Sequence, residues 1–208
     1  TNLRSATIEA NGSFKGGTIL IGNDAQNGTL PFSLVANFDA ETKLRTLAED
    51  GGLTGGGFIE TSGHVLNMLA SINAGRGGMW LLDPYNVTIG SSSSGTAFTC
   101  SSNCTFTPLA TSQIQASTIT NALKSGYNVT ITTGASGVGA DAGDITVSSP
   151  ISVTADSSSY APTLTLTAGR NILISQPISM SVGRLNVTLS AANTPSATTG
   201  GVQVNANI

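Results

Sequence analysis

Two cysteines, Cys100 and Cys104, are separated by three residues in a Ser/Thr-rich stretch and are the only ones in the chain. Such a pair makes either a small disulfide loop, formed in an oxidising compartment, or half of a zinc site. A structural zinc takes four ligands, and the chain adds to the pair one histidine, His64. The disulfide is therefore expected, and no metal or other cofactor.

Carboxylates come next. Glycoside hydrolysis needs two of them on one cleft, about 5 to 9.5 Å apart. Of the 11 acidic residues only Glu49 and Asp50 are adjacent, in what reads as a loop. Asp141 and Asp144 lack the third carboxylate and the neighbouring arginine that calcium-assisted lyase chemistry uses. No catalysis is expected. His64, after Thr61-Ser62-Gly63, has no evident acid-base partner and reads as a surface-turn histidine, the other use being a haem or metal ligand. Trp80 stands among Met79, Leu81 and Leu82, which predicts a buried ring, and Asp83-Pro84 ends that run in an Asx-type turn. Asn11, Asn27, Asn86, Asn103, Asn128 and Asn186 each begin an Asn-x-Ser/Thr sequon, a site for sugar attachment where exposed.

The frame that positions these residues is written in the composition. A chain of 208 residues is enough for one ordinary domain, and residues 1–208 are read as one. Charged residues are 9% and the net charge is -3, which lacks the basic footprint of a nucleic-acid binder. No run approaches the roughly 18 apolar residues that span a bilayer. Aromatics at 5% and hydrophobics at 39%, with many β-branched and turn residues, point to a long all-β structure faced with Thr, Ser and Asn.

Short runs of period 2 confirm that expectation along the chain. They include 6–10, 16–22, 56–63, 128–131, 144–147, 164–167, 171–174, 185–189 and 202–204. Ile145 to Ile151 aligns with Ile172 to Ile178, each with a proline just before its final isoleucine. That offset, and the shorter step from Leu164 to Leu185, fall in the range of solenoids and predict a parallel β-helix of about seven or eight coils. A β-sandwich is the competing architecture, but it gives no reason for the repeated unit. Residues 40–47 fit either a strand or a short helix.

Between 91 and 116 the period fails, marking an inserted loop, and 117–126 then carries apolar positions at helical spacing, with Ser117 to cap its start and Gly126 its end. On a solenoid such insertions sit at one edge, where partners bind. Phe98, Asn103, Phe106 and Leu109 are the expected contact residues, around a Cys100–Cys104 tip; the competing reading is a disulfide-pinned decoration with no partner.

Two stretches, Gly55 to Gly63 and Asn73 to Ile89 with its Trp80-Leu81-Leu82-Asp83-Pro84 core, resemble the large exoproteins of bacterial two-partner secretion. These are the filamentous-haemagglutinin-like and high-molecular-weight adhesins and the related haem/haemopexin-utilisation proteins. The resemblance runs over about residues 12 to 189. It implies a right-handed parallel β-helix, exported through an outer-membrane transporter partner and secreted or displayed on the surface of a Gram-negative bacterium. It implies sugar modification at sequons and a virulence role in host attachment. No Asn-Pro-Asn-Gly secretion motif is seen, so a downstream passenger segment is expected. Its partner would be a host-cell receptor, a glycan or, in the alternative reading, a host haem carrier.

Overall fold

The computed structural model describes residues 1–23, 28–49, 55–92, 96–100, 104–108, 111–134, 142–154, 161–192 and 200–208, with backbone alone at 96–100 and 104–108. Three short strands recur in turn: β1 (Asn2–Leu3), β2 (Thr7–Glu9), β3 (Thr18–Ile21), then β4 (Val35–Phe38), β5 (Lys43–Arg45), β6 (Phe58–Ser62), then β7 (Val65–Met68), β8 (Ser71–Asn73), β9 (Met79–Asp83). The chain continues through β10 (Val87–Gly90), β11 (Thr96–Cys100), β12 (Cys104–Pro108), β13 (Ser112–Gln115) and the one described helix, α1 (Ala116–Lys124). Then follow β14 (Asn128–Thr132), β15 (Ile145–Val147), β16 (Ile151–Val153), β17 (Thr163–Thr167), β18 (Ile172–Ile174), β19 (Ile178–Met180), β20 (Asn186–Ser190) and β21 (Val202–Val204).

These strands stack into parallel sheets, giving an all-β, solenoid-like fold; the aligned parallel ladders exclude the antiparallel sandwich. One side is an eight-stranded sheet in the order β1-β4-β7-β13-β10-β15-β18-β21, and a second is six-stranded, β3-β6-β9-β14-β17-β20. The third side carries β2-β5-β8, then α1 packed against β16, then β16-β19. At about 4.8 Å per strand the longest sheet spans about 34 Å.

Alternation explains the core. In β17 the burial reads half-buried, buried, half-buried, buried, half-buried, so Leu164 and Leu166 point inward while Thr163, Thr165 and Thr167 line the outside. Inward residues meet like residues one rung away: Ile145 pairs with Ile172, Val147 with Ile174 and Ile151 with Ile178. The internal repeat is thus one coil lying in register on the next. The other step is corrected. Leu164 pairs with Val187, not Leu185, because alternation fixes which face a residue occupies but leaves the register free by two.

Of the two readings of residues 40–47, the structure has the strand, at 43–45. Two further details differ from expectation. The helix begins at Ala116, with Gln115 at its cap position and no side-chain cap bond, because Ala116, Ile119, Ala122 and Leu123 are the residues it buries. Ser117 instead donates to Gln115 Oε1 at 3.3 Å. And Ser112–Gln115, placed in the insertion by its broken period, is β13, lying in the main sheet between β7 and β10.

Candidate functional site

The candidate partner-binding segment is a β-hairpin. β11 and β12 pair antiparallel with each other and with no other described strand. Their register sets Phe98 opposite Phe106 and Cys100 opposite Cys104, so the Phe and Cys pairs fall on one face of the ribbon by strand period. The hairpin leaves the solenoid between β10 and β13, which lie side by side, paired from Val87 with Ser112 to Gly90 with Gln115. Asn103 and Leu109 lie outside the described residues, as do the side chains of Cys100, Cys104, Phe98 and Phe106.

The sequon asparagines hold different places. Asn11 accepts the N–H of Leu47 at 2.8 Å, Asn86 that of Asp144 at 2.7 Å and Asn128 that of Thr163 at 2.9 Å. Each ties its own rung to the next, and Asn86 is buried in doing so. Asn186 is exposed, on the outward face of β20, with Thr188 exposed beside it. Asn27 lies outside the described residues.

Sequence spacing concealed two charged groupings. Asp144 does have an arginine: Arg170, 26 residues on, donates Nε–H to Asp144 Oδ1 at 2.8 Å and pairs with Oδ2 through Nη2. The same oxygen, Oδ1, accepts the Asn171 backbone and side-chain N–H groups at 3.1 Å. The bond from Arg170 is the main reason the Asp144 carboxyl titrates below its ordinary value. The second grouping answers the search for paired acids. Ser62 is in register with Asp83, and Glu60, two residues before Ser62, shares the outward side of that sheet. Glu60 is fully buried and accepts from Ser62 Oγ at 2.8 Å; Asp83 accepts from Asn23 Nδ2 at 3.3 Å. Burial pushes Asp83 up to about 6, the Asn23 bond opposes that, and the Glu60 charge adds to it. Only register could have found this pair, since 23 residues separate Glu60 from Asp83 in the chain.

Aromatic rings gather at the adjacent corner. His64 is half-buried, its ring centroid 3.9 Å from that of Tyr85, which stacks on Phe32 at 5.3 Å. Trp80 is fully buried and donates Nε1–H to Thr61 Oγ1 at 3.0 Å. Glu49 accepts from Ser13 Oγ at 3.0 Å, while Asp50 and Asp141 lie outside the described residues. Among the described residues, no three His, Cys, Asp or Glu side chains gather as a metal site would need, and no helix is long and apolar enough to cross a membrane. Compared with known proteins, the chain matches no family model and no curated protein.

Proposed function

We propose that this chain is a non-enzymatic segment of a secreted or surface-exposed bacterial adhesin, a right-handed parallel β-helix whose shaft presents the 96–108 hairpin for attachment to a host receptor or glycan. The observation that carries the reading is the hairpin's topology: among the described strands it pairs only with itself, between two that are direct neighbours in the shaft. A ribbon placed so projects from the solenoid without interrupting its ladder, which is where solenoids carry binding segments. The Trp80-to-Pro84 motif and its resemblance to two-partner-secretion exoproteins support export and display. The burial of Glu60 supports a role without catalysis, since a carboxylate at 0% exposure does not reach a substrate.

Binding of the intact chain, and of one with 91–111 replaced by a short Gly/Ser link, to host epithelial cells and separately to serum haem carriers tests the proposal. Hairpin-dependent cell binding is expected. Hairpin-dependent binding to a haem carrier alone would replace the adhesin reading with haem acquisition. Absence of all binding would reduce the segment to shaft.

A further inference from the structure

We infer that the solenoid contains a hinge, located where β13 meets β7, and that its two halves are held there chiefly by one leaf, the six-stranded sheet. The inference stands whether or not the hairpin binds a host partner.

It begins with an out-of-order strand. Every other rung of the eight-stranded sheet follows the chain, but β13 lies below β10, between it and β7. Neighbouring junctions in this sheet are well zipped: β4 pairs with β7 at four positions, β10 with β13 at four and β10 with β15 at three. The β7–β13 junction has one, Asn67 with Gln113. Beside it the Leu66 N–H is taken by a side chain, Ser112 Oγ at 2.9 Å, in place of a strand carbonyl. Asn67 Oδ1 is buried there with no hydrogen-bond partner among the described residues.

The third side breaks at the same level. The β2-β5-β8 ladder ends at β8, the next element on that side is the helix α1, and strand pairing resumes only at β16. A helix has no free backbone donors along its flank to continue a ladder. Beneath α1 the buried core is continuous, Ile72 and Ala74 clustering with Ile119 and Leu123, but among the described residues the hydrogen bonds that cross there are a buried one from Tyr127 Oη to the Ile72 carbonyl, 2.8 Å, and a backbone one at the corner, Gly77 N–H to Gly126, 2.9 Å. The six-stranded sheet, by contrast, runs through unbroken, β6 to β9 at five positions and β9 to β14 at four. One continuous sheet opposite two interrupted sides is the geometry of a hinge: rotation about β9 parts β7 from β13 while each half keeps its own ladders. The hairpin emerges from the strands beside that opening, so a load on it is delivered to the seam.

Amide hydrogen exchange on the intact chain tests this. The Leu66 amide is expected to exchange at least about tenfold faster than those of Trp80, Leu82, Val129 and Ile131, as sub-global opening requires. Ser112→Ala should speed Leu66 further and leave those four unchanged, and Ser112→Thr, which keeps the hydroxyl, should restore the wild-type rate. A lock provides the independent arm: Asn67→Cys with Gln113→Cys, register partners, in a Cys100→Ser/Cys104→Ser background, should on oxidation slow Leu66 to the rate of Trp80. Equal protection of Leu66 and Trp80 in the wild type, or a lock that leaves the Leu66 rate unchanged, overturns the hinge.

Discussion

The side-chain oxygen of Asn86 accepts the backbone N–H of Asp144 at 2.7 Å, across 58 residues of sequence. The relationship is repeated upward: Asp144 Oδ1 accepts the Asn171 N–H at 3.1 Å, and Asn171 Oδ1 accepts the Gly201 N–H at 3.2 Å. At the entry to each strand, where the ladder has not yet begun, an amide or carboxylate satisfies the next rung's donor. Short polar side chains suit this because they reach a neighbouring backbone without crossing the core.

Asn86→Ala removes a buried acceptor and orphans the Asp144 N–H. We expect a loss of about 1 to 3 kcal/mol in urea unfolding, the cost of a buried unpaired donor. Asn186→Ala, at an exposed outward position, is expected to cost less than about 0.5 kcal/mol. Equal effects would mean that the asparagine column does not carry the rung-to-rung tie.

Stability should depend on pH through Asp83. Its folded pKa, raised to about 6 from 3.8, means the native state holds the proton more tightly than the unfolded chain. The stability it contributes is therefore complete below about pH 4 and is lost as the pH rises through about 6, an amount of about 3 kcal/mol. Asp144 and Asp39, both depressed, act with the opposite sign: their contribution is present above the ordinary carboxylate value and fades as the pH falls through their folded values. Unfolding free energies at pH 4.5 and 7.5 should differ in favour of pH 4.5, and Asp83→Asn should flatten that difference. A wild-type profile rising across the interval would refute the assignment.

What the sequence disclosed depended on periodicity. The Ile145–Ile151 and Ile172–Ile178 repeat was legible because both segments use the same residues at the same spacing, and the structure stacks them residue on residue. β13 was not, since Gln113 and Gln115 around a single inward Ile114 give too short an alternation to separate a strand from a polar loop. The proximity of Glu60 to Asp83 was hidden for another reason: neighbours in a solenoid are set by coil length, and coil length varies where loops do. Hence the partner of Leu164 is Val187 and not the similarly spaced Leu185.

The corner at Gly16 should tolerate nothing larger. A Cβ at Gly16 would stand 1.9 Å from the Thr46 carbonyl oxygen and 2.7 Å from the Gly57 nitrogen, backbone atoms that cannot give way. Gly16→Ala is expected to cost about 3 kcal/mol or more, as overpacking against fixed backbone does. Gly201→Ala, with nothing within 4 Å, should leave the unfolding free energy within about 0.5 kcal/mol of wild type. A harmless Gly16→Ala would show that the first coil can separate from the second.

Trp80 and Thr61 form a bond that a double-mutant cycle can isolate. Both side chains are fully buried, and the indole N–H donates to the hydroxyl at 3.0 Å across adjacent rungs. Thr61→Val keeps the volume and strands the indole donor, for an expected loss of about 1 to 3 kcal/mol. Trp80→Phe strands the hydroxyl and leaves space besides, for about 2 to 4 kcal/mol. The double variant strands neither, so its loss should fall short of the sum by about 1 kcal/mol or more. As Trp80 is the one tryptophan in the chain, its emission also reports whether Thr61→Val leaves the ring dry. Strict additivity, with unshifted emission, would mean that the two groups contribute to the core independently and that apolar contact, not the bond, holds the Trp80-to-Pro84 motif in place.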